Sequence, residues 1–289
     1  MQRVAIVGGT HGNELGGIYL CRYWLAAPEC LRHFPFRVEP YLANSGAIAV
    51  RRRYLDQDLN RCFLPADLQN VELASYEAQR AKLLAHALGG TDFLIDLHNT
   101  TANMGLTVIL SRAGALEDPL IRQLCAHLIQ QDPAVRIYDN PVPPEQNPYL
   151  PSIALRDLTL EVGPMPHGTL RADLYFKTRQ LVEAMLDFLA RWHRGEHEAY
   201  SGELTIYHHL SNLDYPRTES GELDGMIHPA VQAHDFWPLS PGAPLFVTFG
   251  GREIRYEGDD TVWPVFINEQ AYYEKNFAMS LTQKVVHEL

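Results

Sequence analysis

Three short apolar runs in this chain each finish on side chains that bind metal ions or carry protons. Val4 to Val7 leads into His11 and Glu14, Phe93 to Leu97 into His98, and Leu158 to Leu160 into Glu161. Runs of this length and composition read as buried β-strands. In open α/β sheets, ligands sit outside the carboxyl ends of the strands. Two histidines and two glutamates delivered there converge on one crevice, which restricts the chain to folds whose strand ends share an edge.

The rest of the pattern agrees with such a fold. Apolar residues at three- and four-residue spacing mark helices over Glu72 to Leu88, Pro119 to Gln131 and about Leu170 to His193. Helices alternating with strand signals predict an α/β architecture with a mostly parallel sheet. The proline-rich segment from Pro141 to Pro148 reads as irregular, either a pocket wall or a plain connecting loop. Past Arg194-Gly195-Glu196-His197 the texture changes. Short apolar runs such as Ala243 to Phe249 and Val262 to Ile267 are separated by Gly, Pro and Asp, the signature of a small β-rich domain. The expected division is a catalytic domain over 1–194 and a β-rich domain over 195–289 that contributes to the active-site entrance.

The segment Gly8-Gly9-Thr10-His11-Gly12-Asn13-Glu14 places two metal-type side chains three positions apart on a glycine-rich loop. His98 completes a His₂Glu set, a standard arrangement for a catalytic zinc that keeps its fourth position open. Zinc brings the pKa of a bound water to about 7, and Glu161 is the candidate base that takes its proton. Asp96, two residues before His98 on the same strand face, is a candidate acceptor for the other ring N–H of that histidine. Taken singly, each of these residues also reads as a hydrogen-bonded structural group, and Asp96 as a simple turn former.

A second dense stretch runs from Arg51 to Arg61, with Arg53, Asp56, Asp58 and Asn60 inside it. Its interruptions by aspartate and its lack of interleaved aromatics disfavour a nucleic-acid surface. Arginine's planar fork suits a carboxylate, and a guanidinium beside a metal also stabilises a developing oxyanion. Arg51 and Arg52 read as a solvated charged loop. The chain as a whole is acidic, with 24 Lys and Arg against 35 Asp and Glu and a net charge of −11, which disfavours nucleic acid and anionic membranes as partners. Four cysteines without C-x-x-C spacing point to a reduced, cytoplasmic setting. A strand that begins almost at once leaves no room for a signal peptide, and no apolar run reaches membrane-spanning length. Cys62, with no base near it in sequence, reads as a packing residue.

These motifs, together with Asp96-Leu97-His98-Asn99-Thr100-Thr101-Ala102-Asn103-Met104-Gly105, Glu161-Val162-Gly163-Pro164, Pro264-Val265-Phe266-Ile267-Asn268-Glu269 and Tyr272-Tyr273-Glu274-Lys275, closely resemble the aspartoacylase and aminoacylase-3 branch of the zinc carboxypeptidase-like superfamily over nearly the whole chain. The resemblance implies a mixed sheet flanked by helices, with a smaller β-rich C-terminal domain. It implies one zinc per subunit on His11, Glu14 and His98, with Glu161 as general base and then acid. Arg53 would polarise the scissile carbonyl, Asn60 and Arg61 would hold the amino-acid carboxylate, and Tyr272 would reach into the pocket from the second domain. The implied reaction is hydrolysis of an N-acyl-L-amino acid, such as N-acetyl-L-aspartate, by a homodimer or larger homo-oligomer.

One departure bears on the substrate. Aspartoacylases carry an arginine for the aspartate side chain at a position that aligns with Pro151 here. Arg156 replaces it only if the loop follows a different path. Deacylation of N-acyl aromatic amino acids or mercapturates is the alternative, since the aminoacylase-3 branch also lacks that arginine. A metallo-exopeptidase with the same zinc set and a non-catalytic module that captures an acidic metabolite are the remaining readings.

Overall fold

Valine, isoleucine and leucine fill the first and third strands, β1 (Arg3–Gly8) and β3 (Phe93–Asn99), because both faces of the sheet they enter are covered. The computed structural model describes all residues from Met1 to Leu289. The other strands of the main sheet are β2 (Arg37–Leu42), β4 (Gly105–Arg112), β5 (Arg136–Val142), β6 (Asp157–Gly163) and β7 (Glu203–Leu213), closed at one edge by a C-terminal strand. A small sheet follows β7 and comprises β8 (Gly225–Ile227), β9 (Pro244–Thr248) and β10 (Glu253–Arg255). The C-terminal strand is β11 (Met279–Glu288). The main sheet has the order β11-β7-β5-β4-β6-β3-β1-β2, and the small sheet the order β10-β9-β8. Most main-sheet neighbours run parallel, whereas β4 with β6 and β7 with β11 are antiparallel. The α/β class and the mixed sheet are as expected.

Six helices complete the fold: α1 (Leu15–Ala26), α2 (Ser45–Val50), α3 (Pro65–Gln69), α4 (Tyr76–Leu88), α5 (Pro119–Gln131) and α6 (Ala172–Arg194). The expected helices at 72–88, 119–131 and 170–193 correspond to α4, α5 and α6. Ser75 caps α4 by accepting from Ala78 N–H, and Asp118 caps α5 by accepting from Leu120 N–H. Gly195, in the left-handed conformation, ends α6. No helix is long and apolar enough to cross a membrane.

The two faces of the sheet are covered differently. On one, Leu158, Leu160 and Val162 pack with Val108, Leu124 and Leu186 beneath α1, α5 and α6. On the other, Ala81, Leu84 and Leu88 of α4 cover only the β1–β3 half, against Ala5, Val7 and Leu94. Over the β4–β5–β6 half the roof comes from C-terminal residues, where Val265 and Phe266 meet Met104 and Tyr138. A cleft opens between α4's side and that roof.

Two local expectations need correction. Pro141 lies inside β5 rather than in an irregular loop, because β5 and β4 lose register between Leu110 and Arg112 and the proline sits where the ladder is broken. A short 3₁₀ turn, Pro144–Gln146, follows it. Val262 to Ile267 is not a strand. Pro264 interrupts it, Phe266 and Asn268 take positive φ of 55° and 61°, and only isolated bridges remain, from Val262 to Leu239 and from Val265 to Ser280.

Candidate active site

Register brings the strand-end groups together. β3 and β6 pair so that His98 lies directly opposite Glu161, and β1 ends level with them through the Gly8–Leu97 pairing. From Gly8 the chain turns through Gly9, whose φ of +73° is costly for any residue with a Cβ. Gly12 then passes against α2 so closely that a Cβ there would lie 2.2 Å from the carbonyl carbon of Ala47. This tight turn aims His11 inward and leaves Glu14 as the residue that opens α1.

His11, Glu14 and His98 are all buried, and one donor atom from each lies within 4.8 Å of the other two. Both histidines turn Nδ1 toward Glu14, at 2.6 Å from its Oε1 for His11 and 3.0 Å from its Oε2 for His98. The His11 contact has no hydrogen-bond alignment, and that buried nitrogen has no other partner. Behind each ring stands a carboxylate. Asp58 Oδ1 lies 2.9 Å from His11 Nε2, and Asp96 Oδ2 lies 2.8 Å from His98 Nε2. With a divalent ion in place, each Nε2–H would be donated backward to its carboxylate and each Nδ1 would turn its lone pair to the ion, the arrangement in which carboxylates orient metal-binding imidazoles. Asp96 also accepts from Thr10 Oγ1 at 2.9 Å, and Glu14 Oε2 accepts from Asn99 N–H at 2.9 Å, so the supports are themselves held.

The electrostatics ask for a cation at this point. Burial by itself raises the pKa of Glu14, yet His11 and His98 hold it well below the ordinary value. Burial likewise opposes a charged His98, but Asp96 and Glu14 lift it well above the usual imidazole range. Three carboxylates around two imidazoles stabilise positive charge between them. A His₂Glu donor set with converging lone pairs fits a divalent ion such as zinc.

Glu161 is buried, makes no hydrogen bond within the chain and opens onto the cleft. Burial, reinforced by the nearby charges of Glu14 and Glu269, raises its pKa well above the carboxylate norm despite His98 and Arg53. Arg53 donates from Nη1 to Glu14 Oε1 at 3.0 Å and lies 3.6 Å from Asp58 through Nη2, while its buried Nε has no partner. Burial works against its charge, but Glu14 and Asp58 keep its pKa raised.

Asn60 accepts the Leu150 N–H at 2.8 Å through Oδ1, which leaves its Nδ2 free of partners in the cleft. Arg61 donates to the Asn60 carbonyl at 2.8 Å, and its guanidinium lies over the Tyr149 ring at 4.8 Å. Tyr272 enters the cleft from the C-terminal part, packed on Phe266 and Phe277 with ring centroids at 5.5 and 4.6 Å. Burial and the charge of Glu161 push its phenol well above the usual value, so it stays protonated. All eight residues expected from sequence therefore line one cleft, which encloses about 1110 Å³ of space including its open mouth.

Pro151 is buried in a 3₁₀ turn, Leu150–Ile153, and does not line this cleft; Tyr149 does. Arg156 pairs with Asp118 at 2.6 Å and is likewise outside it. Arg51 and Arg52 are exposed on the α2 exit turn. Cys62 is buried, and burial pushes its thiol up to about 11, which suits packing and not nucleophilic attack.

Four contributors escaped the sequence pattern. Asp58, read only as an interruption of a basic run, orients His11 from 47 positions away. Tyr149 supports Arg61, and Lys275 donates to Asp58 Oδ2 at 2.8 Å. Glu269 is a buried hub that accepts from Thr101 N–H at 2.7 Å and from the Thr100 hydroxyl, tying the roof to the segment after His98. Asp58, Glu269 and Lys275 lay inside matched motifs, but no spacing rule links residues so far apart in the chain.

Comparison with known proteins identifies the family. The profile of the succinylglutamate desuccinylase/aspartoacylase catalytic domain matches residues 1–189, and that of the AstE/AspA barrel-sandwich hybrid domain matches residues 202–284. A protein of Nostoc sp. named probable aspartoacylase is 44% identical over 98% of this chain and 97% of its own length. The human N-acyl-aromatic-L-amino acid amidohydrolase (carboxylate-forming) is 43% identical over 98% of this chain and 91% of its own length. The crystal structure of murine aminoacylase 3 superposes with a TM-score of 0.92 at 42% identity, covering 99% of this chain and 96% of that one. With family profiles covering both parts of the chain and relatives that match over nearly its entire length, the chain belongs to the succinylglutamate desuccinylase/aspartoacylase family.

Proposed function

We propose that this protein hydrolyses N-acyl-L-amino acids to a carboxylate and a free amino acid, using one zinc ion per chain held by His11, Glu14 and His98. The observation that carries this proposal is the pair of Nδ1 atoms turned onto Glu14, each imidazole braced from behind by a carboxylate. The names of the relatives, aspartoacylase and N-acyl-aromatic-L-amino acid amidohydrolase, support the same reaction class. A divalent ion in that position supplies Lewis acidity toward a carbonyl oxygen and toward water.

The chain's own groups account for the remaining steps. Glu161, unpartnered and with a raised pKa, takes a proton from the attacking water and returns it to the departing nitrogen. The Arg53 guanidinium, which lines the cleft, donates to the carbonyl oxygen as negative charge develops there. Asn60 Nδ2 and Arg61 receive the carboxylate of the amino acid, with Arg61 steadied by Tyr149. Tyr272 closes the cleft from above and keeps water away from the bound acyl group. A module that merely captures a metabolite has no use for a buried, unpaired carboxylate facing the ion site.

Aromatic or neutral amino acids suit the cleft better than aspartate. Ile109, Tyr138, Tyr149 and Phe266 form its walls, and neither Pro151 nor Arg156 offers it a charge. We further propose that residues 195–289 act as a distinct β-rich unit supplying Tyr272 and Lys275, although β7 and β11 also extend the main sheet. We also propose a homodimer or larger assembly, and a reducing cytoplasmic setting supported by four free cysteines.

The test is metal analysis joined to a hydrolysis panel of N-acetyl amino acids, run with and without chelator. The proposal expects zinc near one per chain, chelator-sensitive hydrolysis, and a Glu161→Ala protein that keeps its zinc but not its activity. Turnover that survives both chelator and Glu161→Ala would defeat it.

A further inference from the structure

On the face of the sheet turned away from the cleft, three titratable side chains meet. Tyr138 and Asn140 of β5 line the cleft, so Asp139 between them points to the opposite face, and parallel pairing sets it beside His208 of β7. Asp139 Oδ2 lies 2.9 Å from His208 Nδ1, and the far nitrogen of that ring, Nε2, lies 2.9 Å from Nε2 of His287 on β11. The next residue, His209, goes the other way, to the Tyr138 hydroxyl at 3.0 Å.

This group stands apart from the catalytic cleft. The sheet order β7-β5-β4-β6-β3 puts four strand spacings, about 19 Å, between His208 and His98, and none of the three residues lines the cleft.

The proton inventory suits an ion. An ionised carboxylate only accepts hydrogen bonds, so His208 carries its proton on Nδ1 and, as a neutral ring, turns a bare Nε2 toward His287. A carboxylate behind an imidazole in this way orients it for a metal. His287 has no hydrogen-bond partner in the chain except His208 Nε2. It therefore moves its proton to Nδ1 without breaking any other contact, and both Nε2 lone pairs then face the same point. Burial and the neighbouring His208 hold His287 below the usual imidazole pKa, which keeps it in the neutral form that binds metals. Two nitrogens on one tetrahedral zinc, each about 2.0–2.1 Å from it, stand about 3.3 Å apart, so the rings have to part by only about 0.4 Å. Both imidazoles are half-buried, with 26% of the His208 side chain exposed. Water reaches them and completes the coordination.

We propose that His208 and His287, braced by Asp139, form a second divalent-metal site, separate from the catalytic one, which takes zinc or another transition ion suited to imidazole and clasps the C-terminal strand β11 to β7. Two protein ligands hold an ion less tightly than three, so this site fills when zinc is supplied and empties on purification.

The test counts zinc bound at equilibrium dialysis against added zinc, with circular dichroism confirming that each variant is folded. The wild type is expected to bind two equivalents. His98→Ala, His208→Ala and His287→Ala are each expected to bind one, and the doubly substituted His98→Ala, His287→Ala protein none. Asp139→Asn is expected to weaken the second equivalent by about 10- to 100-fold. A wild type that saturates at one equivalent lost in His98→Ala, or two equivalents that persist in folded His208→Ala and His287→Ala proteins, would refute the second site and leave the catalytic one standing. A single equivalent lost in His287→Ala and kept in His98→Ala would refute the catalytic site instead.

Discussion

Replacing Asp58 with asparagine preserves shape and removes one charge at a point where the structure concentrates several demands. Asp58 holds His11 Nε2 at 2.9 Å, accepts from Asn60 N–H at 3.0 Å and from Lys275 Nζ at 2.8 Å, and lies 3.6 Å from Arg53 Nη2. Burial opposes its charge, but His11, Arg53 and Arg61 hold its pKa far below the carboxylate norm, so it is ionised throughout any working pH range. An amide in its place still accepts one hydrogen bond, yet it neither matches the imidazole's developing charge nor balances two cations. Losing one hydrogen bond to a charged group costs about 2 kcal/mol, which is roughly thirtyfold in an equilibrium constant and within the range of about 10- to 100-fold seen when groups behind metal ligands are changed. Zinc affinity measured by competition with a chromogenic chelator is therefore expected to fall by roughly thirtyfold in Asp58→Asn. Activity at saturating zinc should recover only in part, because Arg53 and Lys275 have also lost their partner. An Asp58→Asn protein that binds zinc as tightly as wild type would refute the role assigned to this carboxylate.

Other perturbations give sharp outcomes. Glu161→Gln should retain zinc and lower kcat by about 10²- to 10⁴-fold, the usual worth of a general base; a smaller change under zinc-saturating conditions would point to another proton acceptor. Glu269→Gln should lower stability by about 2 kcal/mol in denaturant titration, because both carboxylate oxygens accept, Oε2 from Thr100 and Thr101 and Oε1 from Ala271 N–H, and the amide's NH₂ would set a donor against one of these donors. Gly12→Ala should destabilise the fold by more than about 2 kcal/mol or abolish soluble expression, since its methyl group meets the Ala47 backbone; wild-type stability there would contradict the close approach to α2.

Much of the site was legible because the signals were local. A strand followed at once by a histidine or glutamate is visible in one window, and the parallel register that sets His98 beside Glu161 follows from where those strands end. Helices α4, α5 and α6 were equally legible from apolar spacing, whereas the caps that fix where α4 and α5 begin, Ser75 and Asp118, were not read. What escaped depends on distant approach. Nothing near Asp58 says that it will meet His11, and nothing near Tyr149 says that its ring will carry Arg61. Pro141 inside β5 was missed because a bulge relieves the ladder of the N–H that proline lacks, and a bulge is a property of two strands. Val262 to Ile267 failed as a strand for the converse reason: its apolar residues are buried in the roof over the cleft through a turned backbone and not by sheet pairing. The fate of Pro151 was open in the sequence, and the cleft is lined on that side by Tyr149.

The ion itself is the most direct point of attack. Metal content of the purified protein, measured by plasma mass spectrometry beside a His98→Ala variant, is expected to give one zinc per chain in the wild type and a strong depletion in the variant. Active wild-type protein devoid of transition metal, or a His98→Ala variant that keeps a full complement of zinc, would contradict the site built from His11, Glu14 and His98.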